Sequence, residues 1–397
     1  MNTERRTEQN NPGKGALVAA ALLLVAAFVL FAAFRLGDDA PTEISDAQLH
    51  DTGFGLLYAF GRASFHAGCG GFFFTAGNAV RFHTYSGEEL MNHQLALQNP
   101  AFYGRGEFAV ALEERGFAAR VFSRYGEVYA VHTQHPILSF SLGQGGHMTL
   151  IKQNGDRHML YAYSPRGEVI AAMDLTHDRR IPVASDISRD GTRISVAFID
   201  ISGAQLNFVV FIYEVAEGGM RVMASHADNH GQVPGWLRFL DSGHLISISN
   251  REIRSYATDG GVLASRPINN TIAQVSFAKD YFVIALCAGI LNAAYEPDGI
   301  VLIFDYALNA TEFQLEDASR TGVSAPIASR IAANENGIII TSGRELTALS
   351  PSGQPLWRRV VTHDILHTAL LGQDKLLLAG NNEARIFHVK TAAIGRP

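Results

Sequence analysis

Histidine is the chemically richest residue in good supply, with 15 copies in 397 residues, so its clusters are where metal or acid–base chemistry would be sought. His226-Ala227-Asp228-Asn229-His230 sets two imidazoles and a carboxylate in one short stretch. Those donor types suit zinc or a similar ion. No fourth ligand follows nearby, and the stretch reads as a solvated polar connector. His363-Asp364-Ile365-Leu366-His367 repeats the i, i+4 spacing of the helical zinc motif, in which a Glu serves as base. Asp stands in the Glu position, and the segment falls where the chain needs an inner strand rather than a helix. His132 and His135 flank a strand end and read as surface residues. No metal site is expected.

Nucleophilic chemistry fares no better. A Ser-His-Asp hydrolase needs its serine on a strained Gly-x-Ser-x-Gly elbow, and the chain has none. Gly143-Gln144-Gly145-Gly146 is glycine-rich but joins two strands with no helix behind it, so it does not read as a phosphate cradle. A net charge of −6 with 18% charged residues and no basic stripe argues against nucleic acid as a partner. Neither a catalytic residue nor a cofactor is expected, and the chemistry, if any, belongs to a binding surface.

The elements that would position such a surface are legible as a repeat. Gly71-Phe72-Phe73-Phe74-Thr75, a turn at Asn78, Val80 to Tyr85 and a turn at Ser86-Gly87 form the first clear unit. Comparable turns after an aromatic-ended strand fall at Gly126, Gly167, Gly219, Gly261, Asn309 and Gly353, spaced 39 to 52 residues apart. The turn between the two middle strands recurs at Asn78, Gly116, Asn154-Gly155, Gly203, Asn250, Gly343 and Asn381-Asn382, residues that tolerate the positive φ of tight hairpins. Apolar stretches ahead of each hairpin, such as Pro136 to Phe140, Pro182 to Ala184, Ile272 to Val275 and Pro326 to Ala328, read as innermost strands. A period of this size marks an all-β, single β-propeller. Eight blades are expected, with seven as the alternative if the 281–316 unit is irregular. The last unit lacks an outer strand, and Gly53 to Phe60 is expected to pair there and close the ring, removing an exposed edge.

Ahead of the propeller, Ala16 to Phe34 is an unbroken apolar run that as a helix would span about 28 Å. Arg5, Arg6 and Lys14 precede it, while Asp38, Asp39 and Glu43 follow. The positive-inside rule then gives a cytoplasmic N-terminus and an extracytoplasmic propeller. The run is longer than a signal-peptide core and ends in a poor cleavage site, so a retained anchor is the expectation. The resulting organisation is a cytoplasmic N-terminus (1–15), a transmembrane helix (16–34), a tether (35–50), the propeller (51–390) and a C-terminal tail (391–397). Cys69 and Cys287, in the first and sixth units, are expected as free thiols.

Two segments carry a family resemblance. Ala348-Leu349-Ser350-Pro351-Ser352-Gly353-Gln354-Pro355-Leu356-Trp357 resembles the hairpin of quinoprotein-like (PQQ-like) propellers, and Asp186-Ile187-Ser188-Arg189-Asp190-Gly191 resembles the turn of periplasmic TolB and prolyl-oligopeptidase propellers. The layout of basic N-terminus, anchor and lone propeller is similar to a family of uncharacterised membrane-anchored bacterial propeller proteins. The resemblance implies fold and location. Quinone chemistry is not implied, because the adjacent cysteines of quinoprotein dehydrogenases are missing.

The connectors near 201–206, 226–236, 287–298 and 317–326 are long and fall on one face of the fourth to sixth units. Long loops on a rigid scaffold carry binding function, and aromatics among them mark interfaces. His226, Asp228, His230, Trp236, Leu291 and Tyr295 are therefore the candidate partner-binding residues. The expected function is a non-catalytic docking platform for a protein, peptide or cell-envelope ligand, the alternative being a small-ligand sensor or enzyme with its site at the channel mouth.

Overall fold

The computed structural model describes residues 45–390, apart from 47, 59–62, 98–99, 114, 178, 205, 218, 229–232, 288–299, 316–329 and 373. Among the described residues the chain forms eight sheets, each with four antiparallel strands and one of them with a short fifth strand added in parallel, which we number as blades 1 to 8 in chain order. The innermost strands are Ala63–Gly68, Pro100–Arg105, Ile137–Leu142, Arg180–Ile187, Pro234–Phe239, Thr271–Phe277, Arg330–Asn334 and His367–Leu371. Innermost strands of neighbouring blades contact one another from blade 1 to blade 5 and from blade 6 to blade 8, and that of blade 8 returns to that of blade 1. The 271–314 unit is a regular blade, so the seven-blade alternative falls.

The sheet chemistry explains why single blades do not suffice. A half-buried strand alternates apolar and polar residues, but one buried on both faces reads as a continuous apolar run. Phe72, Phe73 and Phe74 are of the second kind. Phe72 and Phe74 pack on Leu377 and Ile386 of blade 8, whereas Phe73 faces Ala109 and Ala111 of blade 2. The buried apolar residues fall into eight clusters, and each lies between two neighbouring blades. Burial therefore comes from the ring and not from the blade. Apolar burial contributes about 25 cal/mol per Å2, so the aromatics packed into these seams stabilise the closed ring.

Chain direction alternates within a blade, so the ring has two unlike faces. Turns between first and second strands, and between third and fourth, lie on one face, which is called the turn face below. The blade-to-blade connectors and the middle turns lie on the other, the connector face. The turn residues expected near Gly87, Gly167 and Gly353 adopt φ of +92°, +82° and +87°, values open to glycine without strain.

Gln48–Leu57 runs antiparallel to Glu383–Lys390 as the outermost strand of blade 8. Ser45–Asp46 pairs in parallel with Trp357 and Arg358 at the rim of blade 7. The end of the expected 35–50 tether is thus strand, because the free edges beside it offer unpaired backbone groups. Among the described residues no helix is long and apolar enough to cross a membrane, and the expected 16–34 span lies outside them. Cys69 is a free thiol, with φ of +58° in the turn after the first strand. The side chain of Cys287 lies outside the described residues, as does Pro326 to Ala328; the inner strand of blade 7 is described from Arg330.

Candidate binding sites on two faces of the ring

Inner strands carry their last residues to the turn-face end of the channel, and three of them bring charge. Arg105 ends the inner strand of blade 2 and is 2% exposed, too buried to remain unpaired. Its Nη1 donates to Asp186 Oδ1 of blade 4 at 2.6 Å and to the Leu142 carbonyl of blade 3 at 3.0 Å. Nη2 donates to the Phe239 carbonyl of blade 5 at 2.5 Å. Asp186, itself fully buried, also accepts from the Ser141 hydroxyl and from the Phe239 amide at 2.6 Å. One ion pair thus links four consecutive blades.

Beside this network the channel widens into a cavity of about 790 Å3. Arg238 stands in its wall, half-buried, with Nη1 donating to Tyr103 Oη at 2.5 Å and the guanidinium carbon 5.4 Å from the Phe277 ring centre. Burial, with the nearby Arg105, pulls its pKa below the usual arginine range. His66 lines the same wall, 3.4 Å from the Gly106 carbonyl. Burial lowers its pKa to about 4; the Gly106 contact opposes the shift and Arg238 adds to it. His66 is therefore neutral at physiological pH. Around the rim lie Lys279, Asp241, Asp280 and Glu335. Asp241 is held by Gln144 Nε2 at 3.1 Å and Arg189 Nη1 at 3.5 Å, while its Oδ1 is buried with no hydrogen-bond partner. Tyr306 donates to the Lys279 carbonyl, and burial together with Asp280 and Asp241 raises its phenol.

On the connector face a groove of about 980 Å3 runs between blades 5 and 6. Val233 and Trp236 supply its exposed apolar surface, and Arg251, Asn269 and Asn270 add polar groups. Arg254 reaches Glu252 at 2.8 Å within it.

The expected site residues divide. Trp236 lies on the inner strand of blade 5, opposite Ile248, rather than in a loop. It is 37% exposed and borders both groove and channel cavity. His226 requires correction: it belongs to the outer strand Gly219–Asp228, paired with Val210, and not to a connector. The apolar hairpin partner Asn207–Ala216 is long enough to extend the pairing through Asp228, which overrides the local polarity. The His226 ring packs 5.0 Å from Tyr256, and its Nε2 donates to the Gly260 carbonyl at 2.7 Å. Asp228 pairs with Phe208 through the backbone. His230, Leu291 and Tyr295 lie outside the described residues. His367 opens the inner strand of blade 8 against Phe65, whereas His363 sits in the connector before it. No group of three potential metal ligands occurs among the described residues.

Sequence reasoning passed over Arg105, Asp186 and Arg238. The available signal was a charge inside an otherwise apolar inner strand, as in Leu237-Arg238-Phe239.

Comparison with solved structures returns other propellers. A eukaryotic initiation factor matches with a TM-score of 0.52 at 12% identity, over 84% of this chain and 86% of that one. BamB from Moraxella catarrhalis matches at 0.47 and 10% identity, over 89% and 98%. Chaetomium thermophilum Raptor matches at 0.48 and 9% identity over 88% of this chain, which spans only 30% of that longer protein. At these identities the likeness is one of fold. No curated protein matches. Residues 71–389 match the profile described as Family of unknown function (DUF5711).

Proposed function

We propose that this chain, which belongs to the DUF5711 family, is a membrane-tethered, extracytoplasmic binding platform that docks a protein, peptide or cell-envelope ligand in the groove between blades 5 and 6. The observation that carries this reading is the groove itself. Its open form and exposed Trp236 suit an extended segment, with an aromatic anchor for an apolar side chain and polar residues beside it. The apolar run at 16–34 and its flanking charges support the tether and the orientation. The quinoprotein-like hairpin at Ser350 to Trp357 supports a relation of fold to that superfamily, without its chemistry.

A photo-crosslinking residue placed at Asn269 in the native membrane tests the reading. The expected outcome is a discrete crosslinked species, absent when the residue is placed at Val169 on blade 3 and weakened about tenfold or more by Trp236→Ala. Equal capture from both positions would sink it. Protease added to intact cells should digest the propeller if it faces outward.

The cavity on the other face favours a second reading, a small-ligand sensor at the channel mouth. A concave chamber in which Arg238, His66 and Lys279 converge with several carboxylates can hold a small polar ligand.

A further inference from the structure

We infer that the groove between blades 5 and 6 binds an uncharged oligosaccharide, with the C–H face of one sugar ring stacked on Trp236. The inference rests on the docking reading above and names its ligand.

The groove is open because of one side chain. The inner strands of blades 3 to 6 each carry a bulge, and the first paired residue after it is Ser139, Ala184, Trp236 and Gln274 in turn. Ser139 and Ala184 are small enough for the neighbouring inner strand to come close. Gln274 closes the seam between blades 6 and 7 with its amide, donating to the Ile331 carbonyl at 3.4 Å and accepting from the Ile331 amide at 2.9 Å. Trp236 holds the same place in blade 5, and among the described residues its side chain makes no hydrogen bond to blade 6. Neighbouring inner strands touch least at that seam. The indole is too bulky to let the strands close and stays 37% exposed, although tryptophan is ordinarily well buried.

The groups beside Trp236 then narrow the ligand. Glu252, the carboxylate of the groove, is paired with Arg254 at 2.8 Å, so nothing there selects a cation. Arg251 is the cation outside that pair, which is too little for a polyanion. Asn269 and Asn270 are exposed, and among the described residues their side-chain amides make no hydrogen bond. An amide both donates and accepts, and so does each sugar hydroxyl. A pyranose carries hydroxyls around its rim and C–H bonds on its faces, so one ring meets the indole and the amides together. An apolar peptide side chain uses the indole alone and would cover Asn269 and Asn270 without pairing them. An extended peptide backbone is the competing occupant. At about 980 Å3 the groove lies at the upper end of the range for ligand clefts, with room for more than one ring.

The test titrates the full-length chain in detergent with cellotetraose, N-acetylchitotetraose and a neutral alternating alanine–valine hexapeptide. The second tryptophan, Trp357, is 3% exposed, so a change in emission on adding sugar reports Trp236. Saturable binding of at least one tetrasaccharide is expected, with a shift in that emission. The loss expected is about tenfold or more in Trp236→Ala and about threefold to tenfold in Asn269→Ala. Trp236→Phe should keep part of the affinity, and it carries the test if the Ala variant fails to fold. Sugar binding that survives Trp236→Ala unchanged would place the sugar elsewhere and overturn the inference. Binding of the peptide alone would overturn it and leave the docking reading standing. No binding of either sugar would likewise overturn it, and the docking reading falls with it only if the photo-crosslinking residue at Asn269 also captures nothing.

Discussion

The turn face and the connector face are built from the same strands and differ in what crosses between blades. On the turn face, polar side chains reach over the seams: Arg105 to blades 3, 4 and 5, Gln144 to Asp241, and Tyr281 to the Asn334 carbonyl at 2.6 Å. Asn336 Nδ2 continues the series to the Gly372 carbonyl at 3.0 Å. At the connector face the corresponding space between blades 5 and 6 is an open groove. The difference separates stability from recognition. Short turns fix their polar groups well enough to satisfy them across a seam, and such satisfied networks rigidify a fold, whereas open seams leave room for a partner.

The sharpest way to break this contrast is Arg105→Leu. It leaves Asp186 buried without its cation, and the expected cost is about 3–5 kcal/mol in urea denaturation. Converting Asp186 to Leu as well should recover much of that loss. An Arg105→Leu variant with an unchanged midpoint would show that the turn face is not held by its network.

Glycine substitutions compare the faces directly. A Cβ on Gly104, in the channel wall, would lie 1.9 Å from His66 Cγ. Gly104→Ala should therefore cost about 1–3 kcal/mol by overpacking. Gly155, in a connector-face turn, has open space around it, and Gly155→Ala should cost about 1 kcal/mol, through its φ of +59° alone.

Acid should act through the channel wall next. The folded-state pKa of His66 is about 4, below the ordinary 6.5, so the folded protein resists its protonation. The associated stability is complete above pH 6.5 and is lost as pH falls toward 4, on the order of 1–2 kcal/mol after allowing for contact with the cavity. His83, His147 and His367 are lowered in the same direction, chiefly by burial. His66→Gln should flatten, but not abolish, the acid limb of a melting-temperature profile. The smallest effect expected is Arg344→Ala on the connector face. Its pair with Asp364, 2.8 Å apart, is solvent-exposed on both sides, and removal should change stability by about 0.5 kcal/mol or less.

Much of the fold was legible because its signals are local. Turns at Gly87, Gly167 and Gly353 need backbone conformations that few residues adopt, and Phe72 to Phe74 announces a strand buried on both faces. The site was less legible. His226 looked like a connector residue because five residues of composition outweighed the register set by its hairpin partner. Trp236 was found as an aromatic following Pro234-Gly235, although the structure places it on a strand. The charged network was not found: Arg105 and Asp186 are 81 residues apart, and Arg105 and Phe239 are 134 apart.

The sequence by itself determined the repeat, the strand and turn order and the blade architecture, since tight-turn geometry and strand alternation depend on neighbours a few residues away. Only the tertiary structure decided which polar groups meet. Closing eight blades brings the ends of their inner strands around one axis, and there a single arginine finds partners from three other blades. Which charges that leaves paired, and that Arg238 has no carboxylate among the described residues, depends on distances across the ring that no local pattern encodes.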